Sequence, residues 1–189
     1  MISSMAGIAS MNRLDERPDE VLVDLAVRGE AQSFATLAAR YRVKAMRVAY
    51  GILHNPADAE DAVQNAFIRI HQGLSQYRGT GEFSAWLYRV VVNESIRLQR
   101  SKRNVSDELD EEYIAEDGID REHILAVRQC LAMLPERLRT VLALRGVEEL
   151  DYSEIAVILC IPVGTVRSRL HEARRIFAKC WKEMMKDEM

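Results

Sequence analysis

The sequence predicts an all-α protein, two small helical domains joined by a flexible acidic linker. Three observations carry that prediction. Helix breakers are scarce, with 4 Pro and 9 Gly in 189 residues, while the strong helix formers Ala, Leu, Glu and Arg abound. Apolar residues recur at i, i+3, i+4 and i+7 over most of the chain, the signature of amphipathic helices. That periodicity stops at residues 104–121, where positions 106–120 hold 8 acidic side chains and no Lys or Arg. Such a stretch buries too little apolar surface to offset the entropy of ordering it.

Taken in order, residues 1–17 read as a disordered leader; Met1 to Met11 lack the charged start and apolar run of a signal peptide. Asp19 is the expected cap of a first helix carrying Val21, Leu22 and Leu25, and Gly29 its stop. A second helix holds Phe34, Leu37, Ala38 and Tyr41, continues through Val48, Ile52 and Leu53, and breaks at His54-Asn55-Pro56. Asn55 caps the third, with Pro56 at its first position and Ala59, Ala62, Val63, Ala66, Phe67 and Ile70 inward. A polar loop at 73–81 precedes a long helix over 82–100, whose core stripe is Phe83, Trp86, Leu87 and Val90. The first domain thus spans 18–103, the linker 104–121 and the second domain 122–189. Helical spacing resumes there with Ile124, Leu125, Val127 and Leu131, and Pro135 opens a further helix through Val141, Leu142 and Leu144.

Hydrophobic residues make up 48% of the chain and charged residues 29%, with a net charge of −3. That small net charge hides an acidic linker and two basic patches, one of them 160–182, where 6 basic residues face Glu172 alone. No run is long enough for a membrane span, and a cytoplasmic protein with no direct membrane insertion is expected. Cys130, Cys160 and Cys180 are odd in number and widely spaced. They imply neither a disulfide framework nor a zinc site, and buried reduced thiols are expected. Asp58, Glu60 and Asp61 have no His at ligand spacing, so no metal and no cofactor is expected. His54, His71, His123 and His171 stand apart, no nucleophile–base pair is evident and no Gly-rich phosphate loop occurs, so neither catalysis nor a small-molecule substrate is expected.

The most specific signal lies at Asp151–Phe177. Asp151 and Glu154 have the spacing of a capping box, with Asp in place of Ser or Thr. A short helix, Ser153–Leu159, turns Ile155, Ala156 and Leu159 inward, and Cys160-Ile161-Pro162 makes a turn that the first helix cannot cross. The next helix turns Val163, Val166, Leu170, Ala173 and Phe177 inward. Its other face offers Thr165, Arg167, Ser168, Arg169, His171, Arg174 and Arg175. This is a helix-turn-helix whose second helix fits a major groove, where Arg side chains fork onto guanine or pair with phosphate. A solvated basic helix is the plainer alternative, but cap, turn, apolar spacing and one-sided charge all agree on DNA.

The wording of these segments goes further. Leu134-Pro135-Glu136-Arg137, Asp151-Tyr152-Ser153-Glu154-Ile155-Ala156 and Ile161-Pro162-Val163-Gly164-Thr165-Val166-Arg167-Ser168-Arg169-Leu170-His171 closely resemble region 4 of bacterial sigma factors of the extracytoplasmic-function group. In the first domain, the run from Asp58 to Phe67 resembles that family's core-polymerase-binding helix. Phe83-Ser84-Ala85-Trp86-Leu87-Tyr88-Arg89 with Asn93 resembles its −10 helix. The matches span residues 18–183.

The resemblance implies a non-catalytic initiation factor that binds core RNA polymerase and directs it to promoter DNA. Core binding falls to Asp58, Asp61, Gln64, Asn65 and Ile68. The −35 duplex falls to Thr165, Arg167, Ser168, Arg169, His171, Arg174 and Arg175. Single-stranded −10 DNA falls to Tyr77, Arg78, Arg89, Asn93, Arg97 and Arg100, although many members carry Asp in place of Arg97. An anti-sigma factor, often membrane-anchored in this family, is the implied further partner. Two other readings compete: an ordinary DNA-binding regulator, which needs no polymerase-binding half, and a sigma-like decoy, which needs no Arg-rich recognition helix.

Overall fold

The computed structural model describes residues 16–77, 82–103, 121–146 and 150–185. The leader up to residue 15, the linker over 104–120 and Arg78 in the polar loop lie outside them. Among the described residues every regular element is helical.

Helix α1 (Asp19–Val27) has Pro18, not Asp19, at its cap position. The Asp19 carboxylate is instead used across the fold, accepting hydrogen bonds from Arg40 and the Tyr41 hydroxyl. Gly29 follows at φ +95°, a left-handed turn that favours glycine. Helix α2 (Ala31–Leu53) buries Leu37, Ala45, Val48, Ala49 and Ile52 and ends at His54, which takes the left-handed cap conformation. Asn55 then caps α3 (Pro56–Gly73) by accepting from the Asp58 amide at 3.0 Å, with Pro56 in the first turn. A single 3-10 turn, Leu74–Gln76, closes that segment. Helix α4 (Phe83–Arg103) buries Phe83, Leu87, Tyr88, Val91 and Val92. Together α1 to α4 form the first packed unit.

The second unit holds α5 (Arg121–Ala132), α6 (Glu136–Arg145), α7 (Tyr152–Leu159) and α8 (Val163–Met184). The capping box forms as its spacing predicts: Asp151 accepts from the Ser153 and Glu154 amides at 2.7 and 2.9 Å, and Glu154 accepts from the Asp151 amide. Cys160 supplies the left-handed residue that ends α7. Ile155, Ala156, Val166, Leu170 and Ala173 are buried as expected, and Ile158 joins them. Three expectations change, Leu159 being only half-buried at the end of α7. Val163 lies too near the open end of α8 to be covered and is 38% exposed. Phe177 is half-buried, stacked on Trp181 one turn further on.

The cysteines differ from expectation as well. Helices α5 and α8 pack side by side and bring Cys130 and Cys180 to a Cα separation of 5.6 Å, where they form a disulfide. A pairing across 50 residues of sequence is made by tertiary packing, which spacing cannot reveal. Cys160 is exposed, because its place in the turn points it away from the core.

The two units share one continuous apolar core, running from Leu22 through Val91 to Val141, Leu144, Ile155 and Leu170. Gly51 of α2 faces Ala143 of α6 so closely that a Cβ at Gly51 would lie 2.8 Å from the Ala143 Cβ. Polar ties ring this contact. Arg128 Nε donates to the Tyr50 hydroxyl at 2.9 Å, Arg139 donates to Gln99 Oε1 at 2.8 Å, and Arg100 pairs with Glu136 at 2.9 Å.

Candidate nucleic-acid interface

Two faces matter for nucleic acid, one on α8 of the second unit and one on α4 of the first, and both follow from helix geometry. On α8 the buried stripe Val166, Leu170 and Ala173 fixes the rotation of the helix. Arg167, Ser168, His171, Arg174 and Arg175 are consequently exposed, and Thr165 and Arg169 half-buried. Among the described residues, Arg167, Arg169, Arg174 and Arg175 enter no ion pair. Ser168 Oγ donates to the Thr165 carbonyl at 3.0 Å, a local bond that leaves its lone pairs outward. The first turn of α8 leaves the Val163 and Gly164 amides without a backbone partner, while those of Thr165 and Val166 donate to the Pro162 carbonyl, and it has no acidic residue. The result is a one-sided cationic helix whose N-terminal end is open, able to pair with phosphates and reach base edges.

The face of α4 is differently arranged. Arg89, Asn93, Arg97 and Arg100 were expected together on one nucleic-acid surface, but the structure divides them. Arg89 turns toward α7, its Nε donating to the Ile158 carbonyl at 3.1 Å and its terminal nitrogen to the Val157 carbonyl at 2.6 Å. Those carbonyls end a helix, where the backbone dipole favours a cation. Arg100 is engaged by Glu136 of α6. Arg97 is bound by Glu94 at 2.7 Å, and Glu94 is held from its other side by Arg69 at 2.7 Å. Asn93 is exposed. Tyr77 is half-buried, stacked on Trp86 at a centroid distance of 5.2 Å and edge-on to Phe83. Burial, then the acidic Glu20, Asp19 and Glu82, raise its hydroxyl pKa.

The remaining face lies between α2 and α3. Asp61, Gln64, Asn65 and Ile68 share the outer side of α3, Ile68 being 48% exposed. Asp58 does not share that outer side: it turns inward and pairs with Lys102 of α4, a tie between helices. Beside Gln64 and Ile68 opens a groove of about 790 Å³, walled by Phe34, Ala38 and Met46 of α2 and by Val63 and Phe67 of α3. Arg42 and Glu60 pair across its mouth at 3.3 Å. Helical spacing placed Phe34 and Ala38 on the apolar stripe of α2 but did not reveal the groove. Its signal was the row Phe34, Ala38, Arg42, Met46, spaced four apart along one edge of the helix. Glu94 was missed as well, since a lone acidic residue in a helix reads as solvated until its two arginine partners are seen.

Fold and site together define a class: a two-unit DNA-binding protein, helical in every regular element of its described residues, with a helix-turn-helix in one unit and an apolar groove on the other. Comparison with known proteins gives the family. The pattern for Sigma-70 region 2 matches residues 37–105, and that for Sigma-70, region 4, residues 124–176. The RNA polymerase sigma-H factor of Pseudomonas aeruginosa is 32% identical, covering 92% of this chain and 99% of that protein. The ECF RNA polymerase sigma factor SigW of Bacillus subtilis is 33% identical over 80% of this chain and 90% of its own length. The ECF RNA polymerase sigma-E factor of Escherichia coli is 33% identical over 85% and 92%.

Among solved structures, CnrH in complex with the cytosolic domain of CnrY superposes with a TM-score of 0.70, at 23% identity over 87% of this chain and 97% of that one. The sigma factor RpoE of Bartonella quintana, in complex with the anti-sigma factor NepR, gives 0.63 at 21% identity over 76% and 95%. Both share this fold. The chain belongs to the extracytoplasmic-function group of RNA polymerase sigma factors, non-catalytic initiation factors that direct polymerase to promoters.

Proposed function

We propose that this sigma factor reads the −35 element as duplex with α8, chiefly through Arg167, Ser168, Arg169 and Arg174. It captures unpaired −10 bases with the Tyr77 loop and α4, and grips core polymerase with Asp61, Gln64, Asn65 and Ile68 beside the α2–α3 groove. The observation that carries the reading is the unpaired arginine face of α8, opposite a buried stripe that leaves it no role in packing. Arg–guanine forks each contribute roughly 1–3 kcal/mol of base discrimination. On the −10 side, unstacking costs a few kcal/mol per base and is offset by binding the extruded base.

In the arrangement described, Arg89 and Arg100 are bonded to the second unit. Use of both DNA faces therefore requires the units to part, and polymerase binding is the event that supplies the needed energy. An anti-sigma factor that binds the closed form would hold the protein inactive. Both superposed structures are sigma–anti-sigma complexes, CnrH with CnrY and RpoE with NepR, which supports that partner here. A cytoplasmic location follows from the same reading.

The test is in vitro transcription with core polymerase and a pool of promoters. Initiation should depend on the added protein. The double variant Arg167→Ala/Arg169→Ala should lose −35 dependence while retaining core binding. Unchanged start-site choice in that variant would remove the assignment of α8 as the −35 reader.

A further inference from the structure

The second unit carries a cluster of four sulfur atoms that promoter reading does not use. Cys130 lies in the last turn of α5 and Met133 directly follows that helix, its amide still bonded to the Gln129 carbonyl, while Cys180 and Met184 are four apart near the end of α8, so each pair lies on one side of its helix end. The two faces meet crosswise. Cys130 Sγ lies 3.7 Å from Met184 Sδ, and Cys180 Sγ lies 3.6 Å from Met133 Sδ. Both cysteines are buried, yet Met133 is 67% exposed. A methionine placed only to fill a core would be covered. This one stays in solvent and turns its thioether onto a cysteine.

We propose that, with Cys130 and Cys180 reduced, this cluster is a binding site for a soft monovalent metal cation, copper(I), with two thiolate and two thioether ligands. Soft cations choose thiolate and thioether sulfur over nitrogen and oxygen, and the cluster offers only sulfur. Among the described residues no three His, Cys, Asp or Glu side chains converge on one point, so no site for a harder ion competes there. The spacing also suits a metal. Metal–sulfur bonds of about 2.3 Å put the corners of a tetrahedron about 3.8 Å apart, close to the two cysteine–methionine separations. Reduction lets the two cysteine sulfurs move apart from bonding distance, and exposed Met133 opens a route from solvent.

The chemistry balances in two steps. Two monothiols of the glutathione type reduce the Cys130–Cys180 disulfide, giving two cysteine thiols and one monothiol disulfide. One copper(I) ion then replaces the two thiol protons, which leave to solvent, and the neutral thioethers complete the shell. No copper redox change is involved. Because the ligands come from both ends of the unit, bound metal should stabilise it by linkage.

The full-length chain, reduced with excess monothiol under anaerobic conditions, should be titrated with copper(I) against a chromogenic chelator. One ion per chain is expected, with sulfur-only coordination by X-ray absorption. Cys130→Ser/Cys180→Ser should bind none. Met133→Leu/Met184→Leu, which nearly conserves volume, should melt like the wild type without metal. It should bind copper(I) at least roughly tenfold more weakly, the lower end of what one supporting group is worth at a metal site. A wild-type chain that takes up no copper(I) overturns the proposal. So does a methionine variant that competes as well as the wild type, or zinc bound in preference to copper(I).

Discussion

His54 holds a position that only a tertiary structure explains. It takes φ 57° at the end of α2, and both its ring nitrogens are buried with no hydrogen-bond partner among the described residues. Burial first, then the nearby Arg139 and Arg128, hold its pKa down to about 4 from 6.5. Both arginines belong to the second unit. When the units separate or unfold, the ring returns to an ordinary environment and binds protons more readily. The closed, folded state therefore keeps the full contribution of neutral His54 above the ordinary value, and loses it as pH falls from there toward 4. His54→Asn keeps a residue that tolerates the left-handed conformation and removes the titration. The wild-type melting temperature should fall more than the variant's between about pH 7 and about pH 5; equal slopes would dissociate His54 from that pH dependence. Glu94 makes the second residue-scale prediction. It is buried between Arg69 and Arg97, both more than half exposed, so solvent screens much of the attraction. Glu94→Ala should cost about 1–2 kcal/mol in urea unfolding, and Glu94→Gln less.

At the scale of elements, helix–helix contact decides which arginines are free. On α8 the apolar stripe lies wholly to one side, so the arginine face is open. On α4, helix rotation alone would present Arg89 to solvent, but α7 ends beside it and its terminal carbonyls capture the guanidinium. The tightest approach between the units is Gly51 against Ala143, where no Cβ fits on α2 without displacing α6. Gly51→Leu should prise the units apart while the helices persist. The expected outcome is unchanged helical circular dichroism with a larger radius of gyration by small-angle scattering. Polymerase-free DNA binding should also tighten as Arg89 is released. A variant as compact as the wild type would mean that α2 and α6 yield locally and that Gly51 does not govern closure.

For the whole molecule the question is how opposite charges are distributed while the units are closed. The chain has a net charge of −3, yet α8 is cationic and the stretch 106–120 carries 8 acidic residues. That segment lies outside the described residues, and its charge motivates a masking role over the basic faces. Neutralising Asp107, Glu108, Asp110, Glu111 and Glu112 should raise DNA affinity in the absence of polymerase, most at low salt where screening is weakest. Affinities that coincide with the wild type across a salt series would exclude masking.

The sequence by itself determined the helices, the Asp151 capping box, the turn at Pro162 and the one-sided charge of α8, because each depends on residues within a few positions of one another. Local periodicity fixes which side of an isolated helix is apolar, and the family wording of two separated segments gave the functional class. Only the tertiary structure decided that Asp58 faces Lys102, that Phe34 and Ala38 wall a groove, that Arg89 belongs to α7, and that Cys130 meets Cys180. Each of those depends on a partner dozens of residues away. Helical spacing says where a side chain points and leaves open what stands there to receive it.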